Sequence, residues 1–180
     1  MAIYKRKKQG RTDYKTRLRL VSSRNIRLVI RKSLKHITLQ IIDYHEDGDK
    51  VIITLTSREL QKYGWNIPTG NIPSAYLTGL LLAKKAKGKK ITHAILDIGL
   101  SKSHKGGVIY AALKGSVDGG LIIPYSDVVF PKEDRINGSH IGVYSKNAKS
   151  PQFKSYEKSG VKANELPSLF DTTKKKIMGS

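Results

Sequence analysis

The sequence predicts one α/β domain: a mixed sheet led by an antiparallel three-stranded meander, helices on one face, a basic N-terminal arm and a C-terminal extension. Three observations predict it. Between residues 25 and 56, three successive runs alternate apolar and polar side chains with the period of a strand. Between 57 and 117 the spacing becomes that of helices, interrupted by one short apolar run at 91–98. The net charge of +20 is also polarised: residues 1–35 carry 13 Lys+Arg against one acid, 36–145 carry 13 against 10, and 146–180 carry 8 against 3. The division that follows is an arm at 1–22, a core at 23–145 and an extension at 146–180.

Taken in order, the arm has few large apolar residues before Leu18, and is expected to be irregular, with a helical turn over 13–21 that orders on binding. In the first strand Ile26, Leu28 and Ile30 share one face, and Arg27, Val29 and Arg31 the other. In the second, Ile37, Leu39 and Ile41 point inward, opposite His36, Thr38, Gln40 and Ile42. "HEDGD" at 45–49 is a hairpin turn, and the third strand turns Val51, Ile53 and Leu55 inward. A short helix follows, capped by Ser57 and ended by Gly64. Trp65 and Pro68 anchor a loop. A longer helix begins at Pro73 or Ser74 and stops at Gly88, with Lys84, Lys85 and Lys87 in its last turns. "ITHAILDIGL" reads as a buried strand, 108–117 as a helix, 118–126 as loop, and "EDRINGSHIGVYS" as holding one more helix. Beyond Lys146 the extension has room for a helical turn or two.

Composition bounds the function. The 180 residues, 38% hydrophobic, suffice for one core but not two, and no apolar run is long enough to cross a bilayer. "MAIYKRKKQG" lacks the apolar stretch of a secretion signal and reads as a functional arm. Without cysteine there is no disulfide or thiolate metal site, which fits a reducing cytoplasm. No cofactor, small-molecule substrate or membrane partner is expected. A polarised cationic chain repels itself unless a polyanion relieves it, and counterion release from phosphates then supplies affinity.

The interleaving of residue types sharpens this. Lys5, Arg6, Lys7 and Lys8 alone could be solvated charge. Tyr14 offers a stacking ring, while Arg11, Arg17, Arg19 and Arg24 can fork onto phosphate oxygens or lie on bases. The strands extend the surface with Arg27, Arg31, Lys32, Ser33, His36 and Gln40. A sheet face offering cations and amides suits folded RNA better than the DNA major groove. Backbone amides of Gly106 and Gly107, with Lys102 and Lys105 beside them, could reach a further phosphate.

Catalytic readings are weaker. Asp97, at the end of an apolar strand and two residues before Gly99, echoes the D-x-G strand with which ribonuclease-H-like nucleases hold Mg²⁺. A Mg²⁺-dependent nuclease or resolvase using Asp97 is therefore the alternative function. Such sites need converging acids, and Asp43, Asp118 and Asp127 form no evident cluster, so a turn or capping role is the simpler reading. Histidines 36, 45, 93, 104 and 140 have no metal-ligand spacing, and "ALKGS" is not a nucleotide phosphate loop. Neither a catalytic nor a metal residue is assigned.

The longer motifs "RTDYKTRLRLVSSRNIRLVIRKSLKHITLQI", "YGWNIPTGNIPSAYLTGLLLAKKA", "AILDIGL", "ALKGSVDGGLIIPYS" and "RINGSHI" closely resemble the archaeal branch of the large-subunit ribosomal protein family numbered eighteen. The resemblance spans residues 3–145. It implies a non-enzymatic ribosomal constituent that binds 5S rRNA and attaches it to 23S rRNA in the central protuberance, beside neighbouring large-subunit proteins in the cytoplasm. It also implies a ribonuclease-H-like core without catalysis, which would account for the echo at Asp97. The family's RNA contacts carry onto Arg11, Tyr14, Arg17, Arg19, Arg24, Arg27, Arg31 and Lys32.

Overall fold

The computed structural model describes residues 4–147, 156 and 159–179. At its centre the alternation of the sequence becomes a ladder. Strands β1 (Arg27–Lys32) and β2 (Ile37–Asp43) pair antiparallel with Leu28 opposite Ile41 and Ile30 opposite Leu39, so that four branched side chains share one face. β3 (Lys50–Thr56) continues the meander, and the short β4 (Ile95–Asp97) joins the other edge parallel to β1. The order β3-β2-β1-β4 is thus a four-stranded mixed sheet.

Two strand expectations are corrected. Val51 is not inward but 46% exposed. The ladder shifts register between Ile41 and Ile42, pairing Ile41 with Ile53 but Ile42 with Val51, and the extra residue reverses the facing of the strand's start. The run at 91–98 gives only three residues of β4, preceded by a lone parallel bridge from His93 to Ile122.

The inner face is covered by α3 (Ile72–Gly88) and α4 (Val108–Asp118). Asn71 caps α3, its side-chain oxygen accepting from Ser74 N at 3.0 Å. The two helices touch backbone to backbone. A Cβ on Gly79 would run into the Ala112 carbonyl, and one on Gly115 into the Tyr76 carbonyl. Tyr76, Leu77, Leu80 and Leu81 fill the core as their spacing requires, and Trp65 is fully buried.

The segment 57–63 is a 3-10 helix that Gly64 ends at φ +93°, and Ser57 is not its cap. The Ser57 hydroxyl instead accepts from Ile37 N at 3.1 Å, tying the helix to β2. The stretch expected to hold one helix holds two, α5 (Glu133–Ile136) and α6 (Ser139–Asn147). Of the extension, residues 148–155, 157, 158 and 180 lie outside the described residues. Its last part forms α7 (Leu166–Gly179), which buries Leu166, Phe170 and Ile177 in the same apolar cluster as the sheet. Lys84 of α3 donates to the Ile177 and Met178 carbonyls at 2.8 and 3.2 Å, satisfying the end of α7.

Among its described residues the arm is more regular than expected, with a further helical turn ahead of the helical stretch foreseen over 13–21. A single turn α1 (Lys5–Lys8) precedes α2 (Tyr14–Ser22), and Asp13 caps α2 by accepting from Lys15 N and Thr16 N at 2.9 and 3.2 Å. No helix of the described residues is long and apolar enough to cross a membrane.

The glycine contact makes a paired prediction. Gly115→Ala should lower stability by about 3 kcal/mol, because backbone cannot yield to a methyl group as a side chain can. Gly88→Ala, at the helical end of α3 where a Cβ meets nothing within 4 Å, should be neutral or stabilising by up to about 1 kcal/mol. Thermal melts of both variants check it, and equal shifts would refute the contact.

Candidate nucleic-acid interface

One chain of charges positions the arm. Arg17, a turn into α2, reaches Asp49 at the end of the β2–β3 turn, Nη1 to Oδ2 at 2.8 Å. The other oxygen of Asp49 lies 2.7 Å from Arg27 Nη2, and Arg27 Nη1 lies 3.4 Å from Asp97 Oδ2. Asp97 Oδ1 then accepts from Arg31 Nη2 at 3.1 Å and from Gly99 N at 2.8 Å, while Arg31 Nη1 donates to the Asp97 carbonyl at 2.9 Å. Three arginines and two aspartates alternate across the sheet's outer face, joining arm, hairpin turn and the loop after β4.

Arg27 therefore does not stand free, as the alternation suggested. Its side chain is 2% exposed and Val29 beside it 4%. The arm lies over this half of the face, so Arg27 is a structural cation. Its burial fits the fact that an unpaired charge there would be very costly.

Between the arm and the remainder of the outer face runs a groove of about 850 Å³. Arg6, Arg11, Tyr14 and Arg17 line its arm wall, Arg31 and Gln40 its sheet floor, and Leu100 and Ser101 its end. Arg31 keeps 44% of its side chain exposed, and Arg11 is exposed throughout. Among the described residues Arg6 and Arg11 have no acidic partner, so their charge is available to a ligand. Gln40 donates to Thr54 Oγ1 at 3.2 Å, which orients its amide along the face.

The structure distributes the other expected residues. Lys5, Lys7, Lys8, Arg19 and Arg24 are exposed around the arm but outside the groove lining. Lys32, Lys102 and Lys105 line a separate cavity at the start of α4. Ser33 closes the β1–β2 turn, donating to the His36 carbonyl at 2.9 Å and accepting from His36 N at 3.0 Å. His36 faces Arg58 and Thr69 instead of the groove. Its Nε2 accepts from Arg58 Nε at 2.9 Å, which puts the ring proton on Nδ1, 2.9 Å from Thr69 Oγ1.

Tyr14 does not offer both faces to a base, because Tyr4 stacks on it with centroids 4.7 Å apart and planes inclined by 14°. Tyr4, 66% exposed, presents the outer ring of the pair. Sequence reasoning passed over Tyr4; the available signal was a second tyrosine among the arm's cations.

Asp97 has no vacant side. Arg27, Arg31 and Gly99 occupy its carboxylate, and Gly99, at φ +58°, lets the Arg31 guanidinium lie where a Cβ would meet its Cζ at 2.8 Å. The nearest carboxylate across the network, Asp49, is bridged to Asp97 by the Arg27 guanidinium. Asp118 is engaged by Tyr76 and Lys114 at 2.8 and 3.2 Å. Among the described residues no three His, Asp or Glu side chains come together.

Burial pushes the Asp49 carboxyl up, but hydrogen bonds and charge from Arg17 and Arg27 outweigh it and hold the group below its ordinary 3.8. A folded value below the unfolded one gives stabilisation that is complete above about pH 5 and lost as pH falls through the folded value. Asp49→Ala should cost about 3 kcal/mol, the low end for a broken buried pair since Asp49 keeps some solvent contact. It should also expose the arm to trypsin at Arg17 and Arg19 and flatten the acid limb of a denaturation-versus-pH curve. His36 is held below its ordinary 6.5 by desolvation and then by the charges of Arg58 and Lys35. An NMR titration should find it there, and Arg58→Ala should move it back upward.

Comparison with known proteins matches this sequence to a family. The model described as "Ribosomal large subunit proteins 60S L5, and 50S L18" matches residues 2–93 and 84–126. The large ribosomal subunit protein uL18 of Methanobrevibacter smithii is 42% identical over 178 residues, covering 97% of this chain and 92% of that protein. Those of Methanoregula boonei and Methanococcus maripaludis are 46% identical over 82% of this chain and 85% of the relative, and 40% over 97% and 94%. With most of its length matched, this chain belongs to the family of large-subunit ribosomal proteins 60S L5 and 50S L18.

Proposed function

We propose that this ribosomal constituent, which is not an enzyme, binds 5S rRNA in the groove between arm and sheet and attaches it to 23S rRNA in the central protuberance. The groove carries the reading. Its arm wall carries Arg6 and Arg11, which have no acidic partner among the described residues, and its floor is a sheet face whose own charges are internally balanced. Cations on the wall take backbone phosphates, Arg31 and Gln40 supply directional donors, and Tyr4 gives a stacking surface for an unpaired base. Lys5, Lys7, Lys8, Arg19 and Arg24 form the outer field that draws the RNA in. In the same reading the core is a ribonuclease-H-like fold that lacks catalysis, and Arg27 stands where that chemistry would need a metal.

Binding to refolded 5S rRNA across a salt series, with a scrambled RNA of equal length as competitor, tests it. Preference for 5S rRNA should persist at about 0.2 M salt, where purely ionic contacts have lost most of their strength. Arg6→Glu with Arg11→Glu should weaken binding by at least about tenfold and reduce the salt slope by about two, with circular dichroism unchanged. Loss of both RNAs together would leave only a charge field and reject the assignment.

A further inference from the structure

We propose that the cavity at the start of α4 is a second anion site, distinct from the groove, which holds a backbone phosphate of the same bound RNA. It measures about 570 Å³ and gathers cations from three separate parts of the chain: Lys32 at the end of β1, Lys102 and Lys105 in the loop after β4, and Arg135 on α5. No carboxylate lines it. None of the four cations is paired with an acid among the described residues. The groove differs here, since Asp13, Asp49 and Asp97 line it too. Four uncompensated cations brought to one concave wall repel one another, and the arrangement becomes favourable when an anion enters.

The cavity wall adds directed donors. Gly107 caps α4 without a side chain to accept from its first amides. Gly106 takes φ +65°, and a Cβ on Gly107 would lie 2.8 Å from the His104 carbonyl. The Gly106 and Gly107 amides, expected to reach a phosphate, donate instead to the Val129 and His104 carbonyls at 2.9 and 3.0 Å, and the donors at this helix start are the first amides of α4, those of Val108 and Ile109, two residues that line the cavity. Mixed donors of this kind, several ammonium groups, one guanidinium and backbone N–H, match a tetrahedral phosphodiester.

RNA is favoured over an acidic protein segment because Ser101 lines both the groove and this cavity. The two therefore adjoin at Ser101, within reach of one continuous polyanionic strand. This inference rests on the RNA reading above, and its test separates the two.

The full chain is titrated with inorganic phosphate while amide signals are followed by NMR, and then with refolded 5S rRNA across a salt series. Phosphate should shift the Val108 and Ile109 amides, and Lys105→Ala with Arg135→Ala should abolish the shift. The same double variant should lose about tenfold in RNA affinity, with a salt slope smaller by about two, while circular dichroism and the preference over scrambled RNA remain. Wild type that binds the RNA and a double variant with unchanged slope would overturn the second site alone. Wild type that fails to prefer 5S rRNA would overturn both readings. If poly-glutamate displaces phosphate from these amides and the RNA does not, the occupant is an acidic segment and the assignment to RNA fails.

Discussion

The buried guanidinium of Arg27 is the constraint on which the rest of the outer face depends. A cation removed from water at the start of β1, an inner strand of the sheet, demands carboxylates, and the two available come from opposite directions, Asp49 from the hairpin turn and Asp97 from the end of β4. Each carboxylate has a second oxygen, and each engages another arginine, Arg17 or Arg31. One buried charge thereby dictates where the arm lies, where the hairpin turn closes and how the loop after β4 leaves the sheet. The pairs need not add net stability over an apolar substitute. They fix which parts meet, and they leave Arg31 half exposed with one edge anchored.

The inner face is held by different physics. There, close approach of α3 and α4 through Gly79 and Gly115 allows carbonyl and Cα surfaces to touch, and the apolar side chains of β1, β2 and β3 fill the space beneath. Dispersion and apolar burial act without direction, so this side tolerates no added volume but needs no charge. One sheet thus separates a dry, close-packed layer from a wet face organised by ion pairs. The outer side can carry strong fields because the opposite side supplies the cohesion.

The parts legible in the sequence were those set by local pattern. Leu28, Ile30, Leu39 and Ile41 declared their face by alternation, α3 and α4 by spacing, and the family by long ordered motifs. What alternation cannot tell is the nature of the covering layer: Arg27 and Arg31 share one face, yet the arm buries the first and leaves the second open. Val51 misled because a single extra residue in a ladder reverses facing without any signature in composition. Ser57 looked like a cap because a hydroxyl before a helical run usually is one, whereas its partner, Ile37 N, lies 20 residues away. Asp97 carried the signature of a metal strand, and only the three-dimensional arrangement shows its carboxylate engaged by Arg27, Arg31 and the Gly99 amide. Tyr4 and Tyr14 gave no sign of stacking, since nothing in the nine intervening residues specifies that the chain doubles back.

The docking of α7 has a consequence for the order of events during synthesis. Phe170 packs on Tyr76 with centroids 5.6 Å apart, and Lys84 holds the end of α7 across a separation of 93 residues. Until that last helix emerges, the apolar surface of α3 that it covers faces water, although sheet and arm are already complete. The residues of the cationic outer face thus leave synthesis before those of α7 that seal the core. Contacts so distant along the chain close at a high entropic cost, and α7 sits over α3 as a latch held by Phe170 and Lys84.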